Sequence, residues 1–512
     1  MNKLAKLDRN YVWHPFTQMR DWLRREPIVI VAGKGPVLRD VAGREYLDAN
    51  SSIWTNLHGH NHPRINAAIR GQLRKIAHSS ALGLANEPAS LLAEQLIKSV
   101  SRSLNGAADH PTALRRPPRV EDPGRLTSAA TPLVGESRQP RLNKVFFSDD
   151  GSTAVEVALK LAYEFARRSG MSQSPRFLSV QGAYHGDTVG AVSLGHIDLF
   201  HKAYRGLLFP TDKVPAPYCY RCPYNRAKPE RADARDYRQC RWECLGVLER
   251  KFARQKKKGN PYAAFVVEPL IQGAAGMIPQ PPGWLSRASA VARDYGALLV
   301  ADEVMTAFGR TGVNPGGRTD VRPPLFACQR EDVVPDFMAL AKGLTGGYLA
   351  MAATLTTERV FEAFLGEYHE FKTFFHGHSY TGNQLGAAAA LASLELLSSP
   401  ASIRARERLE GALEDELTSL WVNPHVGDIR RVGLIAGIEL VQDWRTREPF
   451  DLRRRVGIRV CEALARRGVL TRPIGNVIVL MPPYCTTPLQ VRCIVKALEA
   501  AIPEVLSARR NR

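Results

Sequence analysis

The chain has 512 residues, 44% hydrophobic and 23% charged, a globular composition long enough to bury a large core and more than one domain. It has no uninterrupted run of about 18 apolar residues, and its opening, MNKLAKLDRN, lacks an apolar stretch ending in a small-residue cleavage site, so a cytoplasmic protein without a membrane partner is expected. The eight cysteines are too sparse for a disulfide scaffold, and the formal charge of +20 raises nucleic acid or an anionic surface as partners.

In chain order, residues 1–70 read as an N-terminal segment that joins a smaller C-terminal domain. Residues 101–141, rich in Pro, Arg, Ser and Gly with little periodicity, read as an exposed loop. The short apolar runs NKVFFS (143–148), RFLSVQG (176–182), YAAFVVEP (262–269) and ALLVADE (297–303) read as buried strands. Amphipathic helical stretches at 152–168 and 283–296 lie between them, which predicts a mostly parallel sheet with both faces covered.

A basic segment interrupts this pattern at about 215–258. Its residues 221–258 hold thirteen basic and five acidic side chains, +8 of the total charge, and read as a solvated surface insert. No aromatic-interleaved basic motif accompanies the charge, which weighs against nucleic acid. From 395 onward a helix (403–420), strands (430–441), another helix and NVIVLMPP (476–483) predict a small α+β domain, leaving 71–394 as the large one.

In parallel sheets ligands bind beyond the carboxyl ends of the strands, so acids ending the runs point at a site. Asp302 ends ALLVAD, where a turn acid or a Walker B carboxylate are alternatives; the latter needs G-x-x-x-x-G-K-[ST], which the chain lacks. Lys342 follows the apolar run DFMALAKG and precedes Gly343, Gly346 and Gly347. Read alone it is a snorkelling surface lysine; with Asp302 it becomes a candidate amine for Schiff-base chemistry.

Gly151 and Ser152 open a predicted helix whose exposed amides suit a phosphate, although Ser152 also reads as an ordinary cap. Tyr184, in GAYHGDT, can stack on a planar ring, and FFHGHSYTGN (374–383) offers Ser379 as a further phosphate donor. These are the parts a pyridoxal 5'-phosphate (PLP) enzyme needs. A separate cluster, Cys219-x2-Cys222 and Cys240-x3-Cys244, approaches four-thiolate zinc spacing with one residue too many in the second pair; the alternative is four unconnected thiols, and the chemistry at Lys342 needs no metal.

With VADEVMTAFGRTG (300–312) and LAKGLTGG (340–347), the chain resembles the class III aminotransferases of PLP fold type I, over nearly its whole length apart from the two inserts. WHPFTQM (13–19), SSIWTNLHGHNHP (51–63) and LTRPIGNVIVLMPP (470–483) resemble the branch that serves biotin biosynthesis by aminating 8-amino-7-oxononanoate. The resemblance implies that Lys342 binds the cofactor covalently and moves the proton, that Asp302 pairs with the pyridine nitrogen, and that Tyr184 covers the ring. It further implies a phosphate held by Gly151 and Ser152 with His378 and Ser379 of a partner subunit, hence a homodimer with shared sites. For small-molecule substrates it implies Phe16, Ile53, Trp54, Tyr184, Arg310, Gly377 and Arg472, with Arg472 on the acceptor's carboxylate.

Two positions depart from the branch's commonest pattern. Phe16 stands where a tyrosine is frequent and Ile53 where a tryptophan is, which leaves S-adenosylmethionine and lysine both open as amino donor. An ω-amino-acid aminotransferase and a PLP-fold binding module without catalysis are the remaining readings; intact Lys342, Asp302 and Tyr184 argue against the second.

Overall fold

The computed structural model describes residues 1–101, 140–313 and 323–507; the loop expected over 101–141 lies almost wholly outside these. At its centre is a seven-stranded sheet. The strands run in the order Leu142–Ser148, Ala352–Thr357, Phe337–Leu340, Leu298–Asp302, Tyr262–Val267, Arg176–Val180 and Asp212–Val214. Ala352–Thr357 is antiparallel to both neighbours and every other pairing is parallel.

All six residues of Tyr262–Val267 and all five of Leu298–Asp302 are buried, which explains why they read as unbroken apolar runs rather than alternating ones. Helix Gly151–Arg168 covers one face of the sheet with Val155, Ala158, Leu159 and Ala162. Helices Glu243–Lys257 and Trp284–Asp294 cover the other.

The first of these two corrects the expectation of a solvated insert. Cys244, Leu245, Leu248 and Phe252 recur at helical spacing and are buried, with Phe252 stacked on Tyr295 at 5.6 Å. Its Arg254, Lys256 and Lys257 fall in the last turn, where cations complement the helix dipole. Charge count hid an amphipathic helix.

The small sheet contains Val426–Val432, Ile435–Asp443, Val477–Leu480 and Pro473–Ile474. The N-terminal strands Ile30–Lys34, Val37–Asp40 and Glu45–Asp48 form a sheet completed by Val469–Leu470, which pairs in parallel with Glu45–Asp48. The limit at 70 falls inside helix Pro63–Leu73, whose Ile65 clusters with Ala389 and Ala392 of helix Gln384–Leu397. No single described helix is long and apolar enough to cross a membrane.

Candidate active site

The parallel strands end on one edge, and a cavity of about 1210 Å³ opens there. Asp149 to Ser152 reach it after Leu142–Ser148, Gly182 to Gly186 after Arg176–Val180, Glu268 after Tyr262–Val267, Asp302 at its own strand's end and Lys342 after Phe337–Leu340. Phe16, Ile53, Trp54 and Arg472 line the same space.

Asp302 is 5% exposed, and its Oδ2 lies 2.7 Å from Nδ1 of the buried His185 while its Oδ1 accepts the Val304 amide at 3.1 Å. Burial favours neutral His185, but the hydrogen bond and charge of Asp302 outweigh it and raise the imidazole pKa. Burial lowers the pKa of Lys342, partly offset by the charges of Asp302 and Glu268, which favours the free amine that attacks a carbonyl. The Lys342 backbone is left-handed at φ 43°, and its Nζ stands 4.8 Å from the centre of the Trp54 ring.

Glu268 was not given a role from the sequence, although an acid ending a strand was the available signal. Its Oε1 accepts the Tyr184 amide at 3.2 Å and Oε2 the Gly273 amide at 2.8 Å. Burial raises its pKa from 4.5 to about 7, His185 pulling it down and Asp302 adding to the rise. The Tyr184 hydroxyl donates to Asp187 at 2.6 Å. Ile197, Leu199 and Phe200 also line the cavity without a signal in sequence, and Phe16 packs edge-on against Phe200 at 5.3 Å.

Asp150 caps helix Gly151–Arg168 by accepting the Thr153 amide, and its carbonyl accepts that of Ala154, so the amides of Gly151 and Ser152 face the cavity without a partner in the helix. A Cβ on Gly151 would stand 2.7 Å from Val304 Cγ1, and one on Gly186 would strike the Ser152 hydroxyl. Bare backbone at both positions lets Val304 and the Gly182–Gly186 turn close on a helix end whose exposed amides suit an anion. An amine with a lowered pKa, a buried carboxylate and an open helix terminus therefore meet in one cavity, and this set fits PLP.

Arg310 does not line the cavity. It is 1% exposed, with Nη1 donating to the Pro482 carbonyl at 2.8 Å and its guanidinium 5.0 Å from the Tyr484 ring. Arg472 is exposed at the cavity wall and forms no ion pair among the described residues. Gly377 and Ser379 are exposed outside the cavity, and His378 lies 3.5 Å from Asp149. All eight cysteines are free, and no group of three or more His, Cys, Asp or Glu among the described residues is arranged to hold a metal. Cys240 instead accepts from Arg238 Nη1 at 3.0 Å, so the zinc expectation finds no support.

The fold and the site define a PLP-dependent transaminase, and the family model for class III aminotransferases matches residues 19–109 and 121–502: the chain belongs to that family. A protein of Geobacter sulfurreducens named adenosylmethionine-8-amino-7-oxononanoate aminotransferase is 45% identical, with 98% of each chain covered. The crystal structure of the Methanocaldococcus jannaschii protein of that name superposes with a TM-score of 0.81 at 36% identity, covering 98% of both chains. A PLP-bound amine transaminase from an uncultivated Pseudomonas species reaches a TM-score of 0.79 at 30% identity, covering 96% of this chain and 98% of its own.

Proposed function

We propose that this chain transfers the amino group of S-adenosylmethionine to the 7-keto group of 8-amino-7-oxononanoate, giving 7,8-diaminononanoate in biotin biosynthesis. The full-length likeness to relatives of that name, at up to 45% identity, carries the reading. PLP is the cofactor that the family implies. When bound, its pyridine ring draws electrons from the carbon that loses a proton.

In this reading Lys342 would hold the cofactor covalently, and its amine, whose pKa burial lowers, would carry the proton from the donor's α-carbon. Asp302 would keep the ring nitrogen protonated, with His185 holding the carboxylate in place. Gly151 and Ser152 bind the phosphate through backbone amides and the helix dipole. Tyr184 and Trp54 flank the reacting centre and exclude water. Arg472 takes the carboxylate at the far end of the acceptor, where its planar fork fits.

His378 and Ser379 are assigned to the partner's phosphate, which makes the working unit a homodimer in the cytoplasm. The exposure of Phe375 and Tyr380 beside them, 74% and 61%, supports a face that another subunit covers. Lysine as donor to the same acceptor is the second reading, favoured by Phe16, which brings no hydroxyl to the entrance. Mixing the PLP-loaded enzyme with either donor alone separates the two. The donor that is used converts the yellow lysine-bound form to the amine form of the cofactor; an enzyme that responds to neither but does respond to a simple ω-amine is not of the biotin branch.

A further inference from the structure

Residues 48 to 60 wrap the turn that carries Lys342. Trp54 stands over the Lys342 amine at 4.8 Å. Added Cβ atoms on the following glycines would meet this segment: on Gly343, Leu57 at 3.0 Å; on Gly346, His58 at 3.2 Å; on Gly347, Asn56 at 2.6 Å. The lysine turn is therefore seated largely against side chains of this segment, with Ile65 at 3.0 Å and Ser393 at 3.5 Å also beside the Cβ added on Gly346.

That segment is strained. Ser51, Ser52 and Trp54 all have left-handed backbones, at φ 46°, 62° and 66°, a conformation that costs non-glycine residues energy and persists only where the surroundings impose it. The constraint converges on Asp48, which is 3% exposed. Its Oδ1 accepts the amides of Asn50 at 3.1 Å and Ser52 at 3.0 Å, and its Oδ2 accepts Ser52 at 2.8 Å and Nε2 of His60 at 2.9 Å. Asn56 Nδ2 lies 3.1 Å from Nδ1 of His60, which fixes the tautomer with the proton on Nε2, facing Asp48. Asn50 carries the constraint onward, its Oδ1 accepting the Trp54 indole N–H at 2.9 Å.

We propose that Asp48 is a positioning residue for the amino-transfer reaction, closing the 48–60 segment onto His60 and, through Asn50, aiming the Trp54 indole at the Lys342 amine. This rests on the transaminase reading. Neither Asp48 nor His60 lines the cavity, so both act through the segment rather than on substrate. A carboxylate is required because two backbone amides and an imidazole N–H converge on it; an asparagine in its place turns one acceptor into a donor that faces another donor.

The test compares Asp48→Asn, Trp54→Phe and the double variant with wild type. It measures kcat and KM in the overall reaction, the PLP dissociation constant by absorbance titration of the apoprotein, and Tm. Asp48→Asn is expected to lower kcat by about 10- to 100-fold, since small misplacements of a reacting group cost that much, with donor KM moving by less than about threefold and PLP binding weakened. If Asp48 works through Trp54, the double variant falls roughly to the level of the worse single variant, the non-additivity of coupled residues. Multiplying losses, or wild-type kcat and PLP affinity in a folded Asp48→Asn protein, would overturn the proposal. If Asp48→Asn does not fold, Asn50→Ala carries the same expectation. A wild-type enzyme that binds PLP but transfers no amine fails the functional reading instead, leaving the PLP titration to judge Asp48.

Discussion

Replacing Glu268 by glutamine keeps the shape of the side chain, removes its charge, and turns toward the Tyr184 or Gly273 amide a donor in place of an acceptor, a cost that does not change with pH. The carboxyl is 6% exposed, and burial lifts its pKa from 4.5 to about 7. Between those values the folded protein holds the proton more tightly than the unfolded chain does. A raised pKa therefore contributes stability that is fully present below the unfolded value and is lost as pH rises through the folded one. At ~1.4 kcal/mol per tenfold change in proton affinity the loss amounts to ~3 kcal/mol.

The Glu268→Gln variant has no such proton to lose. Below about pH 5 the two proteins differ only by an uncharged substitution, and by about pH 8 the wild type has lost its share, so the variant gains on it across that window. Thermal melting of both apoproteins across the range checks this. A Tm difference that stays constant, or that shifts toward the wild type as pH rises, would show that Glu268 is not held in its protonated form by burial.

Lys342→Ala is expected to abolish turnover and the yellow absorbance of the lysine-bound cofactor, since no second lysine lines the cavity among the described residues; a variant that keeps the absorbance places the covalent link elsewhere. Arg472→Ala should raise KM for 8-amino-7-oxononanoate by about 10- to 100-fold, the range expected of a charge-assisted pair, with little change in Tm because the side chain is exposed and has no ion pair among the described residues; steady-state kinetics decide it. Treatment with a zinc chelator should leave Tm and activity unchanged, because no group of three or more His, Cys, Asp or Glu among the described residues is arranged to hold a metal.

The central sheet was legible because its strands are buried on both faces and read as continuous apolar runs, with the acids at their ends marking the functional edge. Lys342, Asp302, Gly151 and Ser152 meet there, each at or just after the end of a parallel strand. Helix Glu243–Lys257 was missed because thirteen cations drew attention from four apolar residues at helical spacing. Arg310 was drawn into the site by its motif. Only the tertiary packing reveals that its guanidinium turns to Tyr484 and Pro482.

The motif at 51–63 was legible as a family word, but the backbone of the 48–60 segment was not. Left-handed Ser51, Ser52 and Trp54 carry none of the glycine that usually marks such backbone, and the acceptor that imposes it, Asp48, ends an ordinary strand. His378 and Ser379 raise a different difficulty: the proposed function assigns them to a second copy of the chain, so their roles are not written into one subunit's cavity.

The most direct test of the account incubates the PLP-loaded enzyme with 8-amino-7-oxononanoate and S-adenosylmethionine, or lysine in its place, and follows the product by mass spectrometry. The account expects 7,8-diaminononanoate with S-adenosylmethionine, and none from the Lys342→Ala protein. Product only with lysine would leave the acceptor standing and correct the donor. No 7,8-diaminononanoate with either donor, from an enzyme that aminates another ketone, would contradict the account.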